Sequence, residues 1–100
     1  MLNMEIDYIK RQIISKYNPQ GLILFGSCAR GLVRQGSDID LCVVMDTGDK
    51  RQVSIDMLLE LDYDTAVDII VYTPEEWQKY KDDEATFPGL VNRTGVKLIG

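Results

Sequence analysis

The sequence contains no histidine. That absence excludes a Ser-His-Asp triad, an HExxH zinc site, a Cys/His zinc finger and any imidazole general base. Acid–base chemistry must therefore fall to carboxylates, lysine, tyrosine or cysteine. Cysteine is scarce as well: Cys28 and Cys42 are the two present. They form no CxxC pair, and two thiols without histidine cannot complete a metal site, so both read as small buried hydrophobes. Positive charge is in deficit, with 11 Lys+Arg against 16 Asp+Glu and a net charge of −5. A phosphate backbone needs lysine and arginine, so no direct nucleic-acid binding is expected. No apolar run approaches the roughly 18–20 residues that cross a bilayer. The N-terminal stretch lacks the basic and apolar segments of a signal peptide. No membrane association is expected, and the expected location is the reducing cytoplasm.

What is there fits one globular domain, over residues 1–100. A chain of 100 residues with 45% apolar content is ordinary for a folded domain. A globule this size buries roughly two thirds of the surface its unfolded chain exposes, enough for one core. Residues 4–17 predict a helix, with Ile6, Ile9, Ile13, Ile14 and Tyr17 at helical spacing, ended by Asn18-Pro19. The run 22–25 predicts a strand buried on both faces. A short helix is expected over 28–33, a turn over 34–37, a second strand over 38–45 and a second amphipathic helix over 50–62. The nearly all-apolar run 66–72 reads as a third, central strand. Thr73-Pro74-Glu75-Glu76 is a strong helix start, leading to about Asp83. In 85–94, Pro88-Gly89 interrupts the pattern, with Leu90 and Val91 able to open a short helix. Residues 96–99 suggest a short edge strand. The fold class is α/β (α+β): a small sheet of three to four strands with helices packed on it. Parallel pairs are possible, and an antiparallel or mixed sheet is equally compatible with the short links.

The chemistry concentrates in three places. Asp38 and Asp40 lie two apart on a predicted strand, so both project from one face. Two neighbouring carboxylates repel, and a hard divalent cation such as Mg²⁺ resolves the conflict. Asp68 stands alone in the apolar run 67–71, where an unpaired carboxylate is costly to bury. If its strand neighbours the second one, three carboxylates converge, a set suited to two metal ions clamping an in-line displacement. Gly26-Ser27 follows the first strand at a strand-to-helix turn. Such a turn offers backbone N–H groups and a hydroxyl to an anion, and Arg30 lies one turn further on.

A bare Asp-x-Asp carries no weight, because 11 aspartates in 100 residues make about one by chance, and Asp62-Tyr63-Asp64 is another. Gly-Ser, ten residues, then Asp-x-Asp has a chance expectation of about 0.003. Gly26-Ser27-Cys28-Ala29-Arg30-Gly31, then Ser37-Asp38-Ile39-Asp40-Leu41, then Val67-Asp68-Ile69, resembles the minimal nucleotidyltransferases of the DNA polymerase β superfamily. The resemblance spans most of the chain, in order, with no departure at the catalytic positions. It implies a nucleotidyltransferase-like fold, with Gly26 and Ser27 holding a nucleoside triphosphate. It implies that Asp38 and Asp40 hold two Mg²⁺ ions, and that Asp68 completes the site and acts as base. ATP as the nucleotide rests on the resemblance alone. Minimal relatives pair with small helical HEPN toxins, which implies an antitoxin that transfers AMP to a tyrosine of an RNase partner. The alternative is a binding antitoxin that acts by occlusion. Arg34, Asp62, Asp64 and the run Asp82-Asp83-Glu84 read as solvated charges, and Trp77 and Tyr80 as packing residues.

Overall fold

The structure, a computed structural model, describes residues 2–26, 28–29 and 38–99. Among these, four helices pack on a four-stranded mixed sheet. The elements run α1 (Leu2–Tyr17), β1 (Gly21–Phe25), β2 (Ile39–Val44), α2 (Lys50–Glu60), β3 (Val67–Tyr72), α3 (Pro74–Tyr80), α4 (Phe87–Thr94) and β4 (Val96–Ile99). The strand order is β3-β2-β1-β4. β1 pairs antiparallel with both β2 and β4, whereas β2 and β3 are parallel and joined through α2. The sheet is thus mixed, and β3 is an edge strand rather than a central one. Its alternating burial is the reason: Val67, Ile69 and Val71 are buried while Asp68 and Ile70 are exposed. One face of β3 carries the apolar load that its composition spread along the whole run.

Local chemistry accounts for the helix boundaries. α1 ends at Asn18, which takes a left-handed conformation (φ 47°) and donates its N–H to the Ile13 and Ile14 carbonyls. Asparagine tolerates that geometry, and Pro19 bars continuation. Asp49 caps α2 by accepting from the Gln52 N–H at 3.1 Å. The predicted start of α3 is present as a full capping box: Thr73 accepts from the Glu76 N–H, and Glu76 accepts from the Thr73 N–H. Glu76 also binds Lys50 at 2.7 Å, which holds its carboxyl below the ordinary glutamate range and ties α2 to α3. α4 begins earlier than the Pro88-Gly89 pair suggests. Thr86 is its N-cap, accepting from the Gly89 N–H at 3.1 Å, and Pro88 sits in the first turn, where a missing N–H costs nothing.

The two sheet faces bury separate apolar clusters. On one, Leu22, Leu24, Ile39, Leu41, Val43, Val67, Ile69 and Val71 pack with Ile9 and Ile13 of α1 and Met57 of α2, and Cys28 joins them. Ile14 falls off this stripe and is exposed. On the other, Ile23, Cys42 and Val44 meet Trp77 of α3 and Val91 of α4. Trp77 is a packing residue, as its helical position suggested, with its ring 6.3 Å from that of Tyr72. Both cysteines are buried, and burial pushes the Cys42 thiol up to about 12. No helix among the described residues is long and apolar enough to cross a membrane.

A polar strap closes α1 onto the loop that leads into β3. Tyr8 donates to Asp62 at 3.0 Å, and Gln12 exchanges two 2.8 Å bonds with the Asp62 backbone. Glu5 accepts from the N–H groups of Asp64 (2.7 Å) and Thr65 (2.6 Å) and from the Thr65 hydroxyl. These bonds hold the Glu5 carboxyl below its usual range. Asp62 and Asp64 are exposed, as expected for solvated charges, yet Asp62 also anchors this strap.

Candidate active site

The site is built along one row across three strands. In the sheet register Asp68 stands opposite Asp40, and Asp40 opposite Phe25. Paired residues project to the same face, so Asp68, Asp40 and Phe25 line up on the side carrying α3 and α4. Two interstrand steps put the ends of the row about 10 Å apart. The parallel pairing of β2 and β3 is what brings two residues 28 positions apart in the sequence side by side. It begins where the Ile39 N–H donates to the Ala66 carbonyl at 2.9 Å.

Asp40 is half-buried and Asp68 exposed. Burial pushes the Asp40 carboxyl above the ordinary aspartate range, and the negative charges of Asp68 and then Asp38 push it further. A neighbouring like charge disfavours the ionised form of each carboxylate. The edge position of β3 corrects the reading of Asp68 as a carboxylate trapped in a central strand. Asp68 is solvated on an edge, and the electrostatic stress falls on Asp40.

Gly26 ends the row from above. Its φ of 78° lies in the left-handed region, and a Cβ there would collide with the Asp40 carboxylate. The glycine therefore gives room to the carboxylate as well as to any approaching ligand. Beyond it, Cys28 donates its thiol hydrogen to the Asp38 carbonyl at 3.2 Å, tying this turn to the start of β2. Asp38 itself is exposed and precedes the strand. Ser27, Arg30, Arg34 and most of the expected helix 28–33 lie outside the described residues, while Cys28 and Ala29 form a turn.

The donor chemistry suits a hard divalent cation: carboxylates only, two of them paired across a parallel ladder. Among the described residues, however, no group of three His, Cys, Asp or Glu side chains is arranged to hold an ion. The structure brings Asp40 and Asp68 together without closing a three-carboxylate cluster around one point.

The third feature was not legible in the sequence. Phe25, at the other end of the row, meets Phe87 of α4 edge-to-face, with ring centroids 5.4 Å apart. The two rings, with Gly26, Leu90, Val91 and Thr94, line a cleft of about 260 Å³. Only the placement of α4 creates it, and the Thr86-Phe87-Pro88 cap was the available signal for that helix.

A model of the nucleotidyltransferase domain family matches residues 6–92. The chain belongs to that family. The match takes in Gly26, Asp38, Asp40 and Asp68, and nucleotidyl transfer is the activity of the class it defines. A search of the curated proteins gives no match.

Proposed function

We propose that the protein transfers AMP from ATP, with Mg²⁺, to the hydroxyl of a tyrosine on a helical HEPN toxin partner, silencing it as its antitoxin. The observation that carries this reading is the register placing Asp68 beside Asp40, with Gly26 against the Asp40 carboxylate. The acceptor oxygen attacks the α-phosphorus as the bond to the β-phosphate oxygen breaks, and pyrophosphate leaves. Asp68, exposed on the edge strand, is open to an acceptor arriving from outside and takes the hydroxyl proton. The turn at Gly26 and Ser27, with Arg30, orients the triphosphate. Two Mg²⁺ ions on Asp38, Asp40 and Asp68 would neutralise phosphate charge and lower the pKa of the acceptor. Such a reaction belongs in the cytoplasm, where ATP is supplied.

The test is to incubate the protein with α-labelled ATP, Mg²⁺ and a co-expressed HEPN partner. Label is expected on a partner tyrosine, with Asp40→Asn and Asp68→Asn each lowering the transfer about 100-fold or more. Absence of transfer, or equal transfer by Asp40→Asn, would overturn the reading. A second reading, inhibition by occlusion alone, draws on the three carboxylates not closing around one point. It predicts that neutralisation of the toxin in cells survives loss of all three aspartates.

A further inference from the structure

The cleft between β1 and α4 lies in line with the paired carboxylates and shares Gly26 with the turn proposed to orient the triphosphate. It is bounded by Phe25, which stands opposite Asp40, and by Gly26, whose lack of a Cβ leaves room for the Asp40 carboxylate. Its far wall is α4, pressed closely onto β1 because Gly95 at the helix end leaves no Cβ between it and Ile23 and Leu24. Phe87 and Leu90, at 40% and 43% exposure, stay open to solvent although they stand beside a buried core. The volume of about 260 Å³ suits one flat heterocycle with part of its sugar.

The chemistry of the walls is one-sided. Phe25, Phe87, Leu90 and Val91 supply apolar surface and ring faces. Thr94 is the one polar side chain among the described lining residues, and its hydroxyl hydrogen is already given to the Leu90 carbonyl at 2.8 Å. The cleft therefore offers stacking and apolar contact to a planar ring, and among the described lining residues no side-chain hydrogen-bond donor is left to read the edge of a base.

We infer that the Phe25–Phe87–Leu90 cleft is the nucleobase subsite of this chain, binding the purine of a nucleoside triphosphate by stacking and without distinguishing adenine from guanine. This rests on the nucleotidyl-transfer reading and adds to it the residues that hold the base. It also removes one expectation: selection of ATP over GTP would not be made by this domain. Base–aromatic stacking is tolerant of base identity because every base has a π-face.

The test is calorimetric binding of ATP, GTP and inorganic tripolyphosphate to the full chain in Mg²⁺. ATP and GTP are expected to bind within about threefold of each other, and both about tenfold or more tighter than tripolyphosphate. Phe87→Ala and Leu90→Ala are each expected to erase most of that advantage while leaving tripolyphosphate binding unchanged, and Phe87→Trp to retain it. Equal binding of ATP and tripolyphosphate by the wild type would overturn the inference. So would an undiminished advantage in both alanine variants, or loss of tripolyphosphate binding along with ATP in both. A preference above tenfold for ATP over GTP would overturn the claim that the base edge is unread. Failure of the wild type to bind any of the three would overturn the nucleotide reading itself, a different result from nucleotide and tripolyphosphate binding equally.

Discussion

The two faces of the sheet come from the same strands and are built to opposite ends. Along β3, Val67, Ile69 and Val71 enter a cluster sealed by α1 and α2, while Asp68 and Ile70 look outward on the other side. On β2, Ile39, Leu41 and Val43 are fully buried on the first face, and Asp40 sits on the second. The sealed face contains apolar contacts and one thiol. The other is covered by α3 and α4 only toward one end, and where cover stops it carries like charges beside an open aromatic cleft. Both faces bury an apolar cluster, and the second also carries neighbouring carboxylates at its open end.

This contrast can be broken by substitution. The largest effect is expected at Leu41→Ala, where the lost side chain leaves a cavity in the sealed cluster and costs about 2–5 kcal/mol in urea unfolding. Ile70→Ala, two strand positions from Asp68 on the open face, should cost less than about 1 kcal/mol. Equal losses at the two sites would mean that the open face also carries the fold.

Gly26→Ala comes next. A left-handed alanine costs about 1–2 kcal/mol, and its methyl group would be driven into the Asp40 carboxylate. Unfolding should show a loss near the upper end of that range, accompanied by loss of nucleotide binding. A fully stable Gly26→Ala would show that the turn relaxes freely.

Asp40→Asn should raise stability in metal-free buffer at neutral pH. Its carboxyl titrates above the ordinary range in the folded state, so folding takes up a proton as pH falls toward that value. The penalty is fully present above the raised pKa and is gone below the unfolded value. Because the group is only partly buried, screening limits the gain to about 1 kcal/mol or less, a few degrees in Tm. The advantage of the asparagine variant should vanish as pH drops through the ordinary aspartate range. An unchanged or lowered Tm would show that Asp40 is not stressed.

Glu5→Ala on the strap is the smallest effect and has the opposite pH sense. Glu5 titrates below its usual range, so its contribution is present above the unfolded pKa and is lost as pH falls through the folded one. Its bond to Asp64 is exposed and that to Thr65 part-buried, and their removal should cost about 1 kcal/mol or less, measured at pH 7. A stability change that persists unaltered into acid would rule out this linkage.

Much of this molecule was readable residue by residue. Helices capped by their own neighbours were plain: Thr73-Pro74-Glu75-Glu76 forms the box its order implies. The candidate residues were named from spacing: Gly26-Ser27 and Asp38-x-Asp40 stand ten residues apart, a pattern chance rarely supplies, and the family match spans them. The start of α4 was obscured because Pro88-Gly89 resembles an interruption, although proline is compatible with a first turn. The strap from α1 to residues 62–65 was invisible, since Glu5, Tyr8 and Gln12 find partners 50 or more positions away.

The sequence by itself determined the α/β class, the kind of chemistry and the residues available for it, because periodicity, caps and motif spacing are local and survive in one dimension. Tertiary structure alone decided that β3 lies on an edge and runs parallel to β2, so that Asp68 stands beside Asp40 and remains exposed. It also decided that Gly26 makes room for a carboxylate and that α4 builds a cleft beside it. Those outcomes depend on which strands pair and on which face a helix returns to, and both are settled by burial of distant side chains against one another. The lack of histidine leaves carboxylates, two of them paired across the sheet, among the titratable groups on this face.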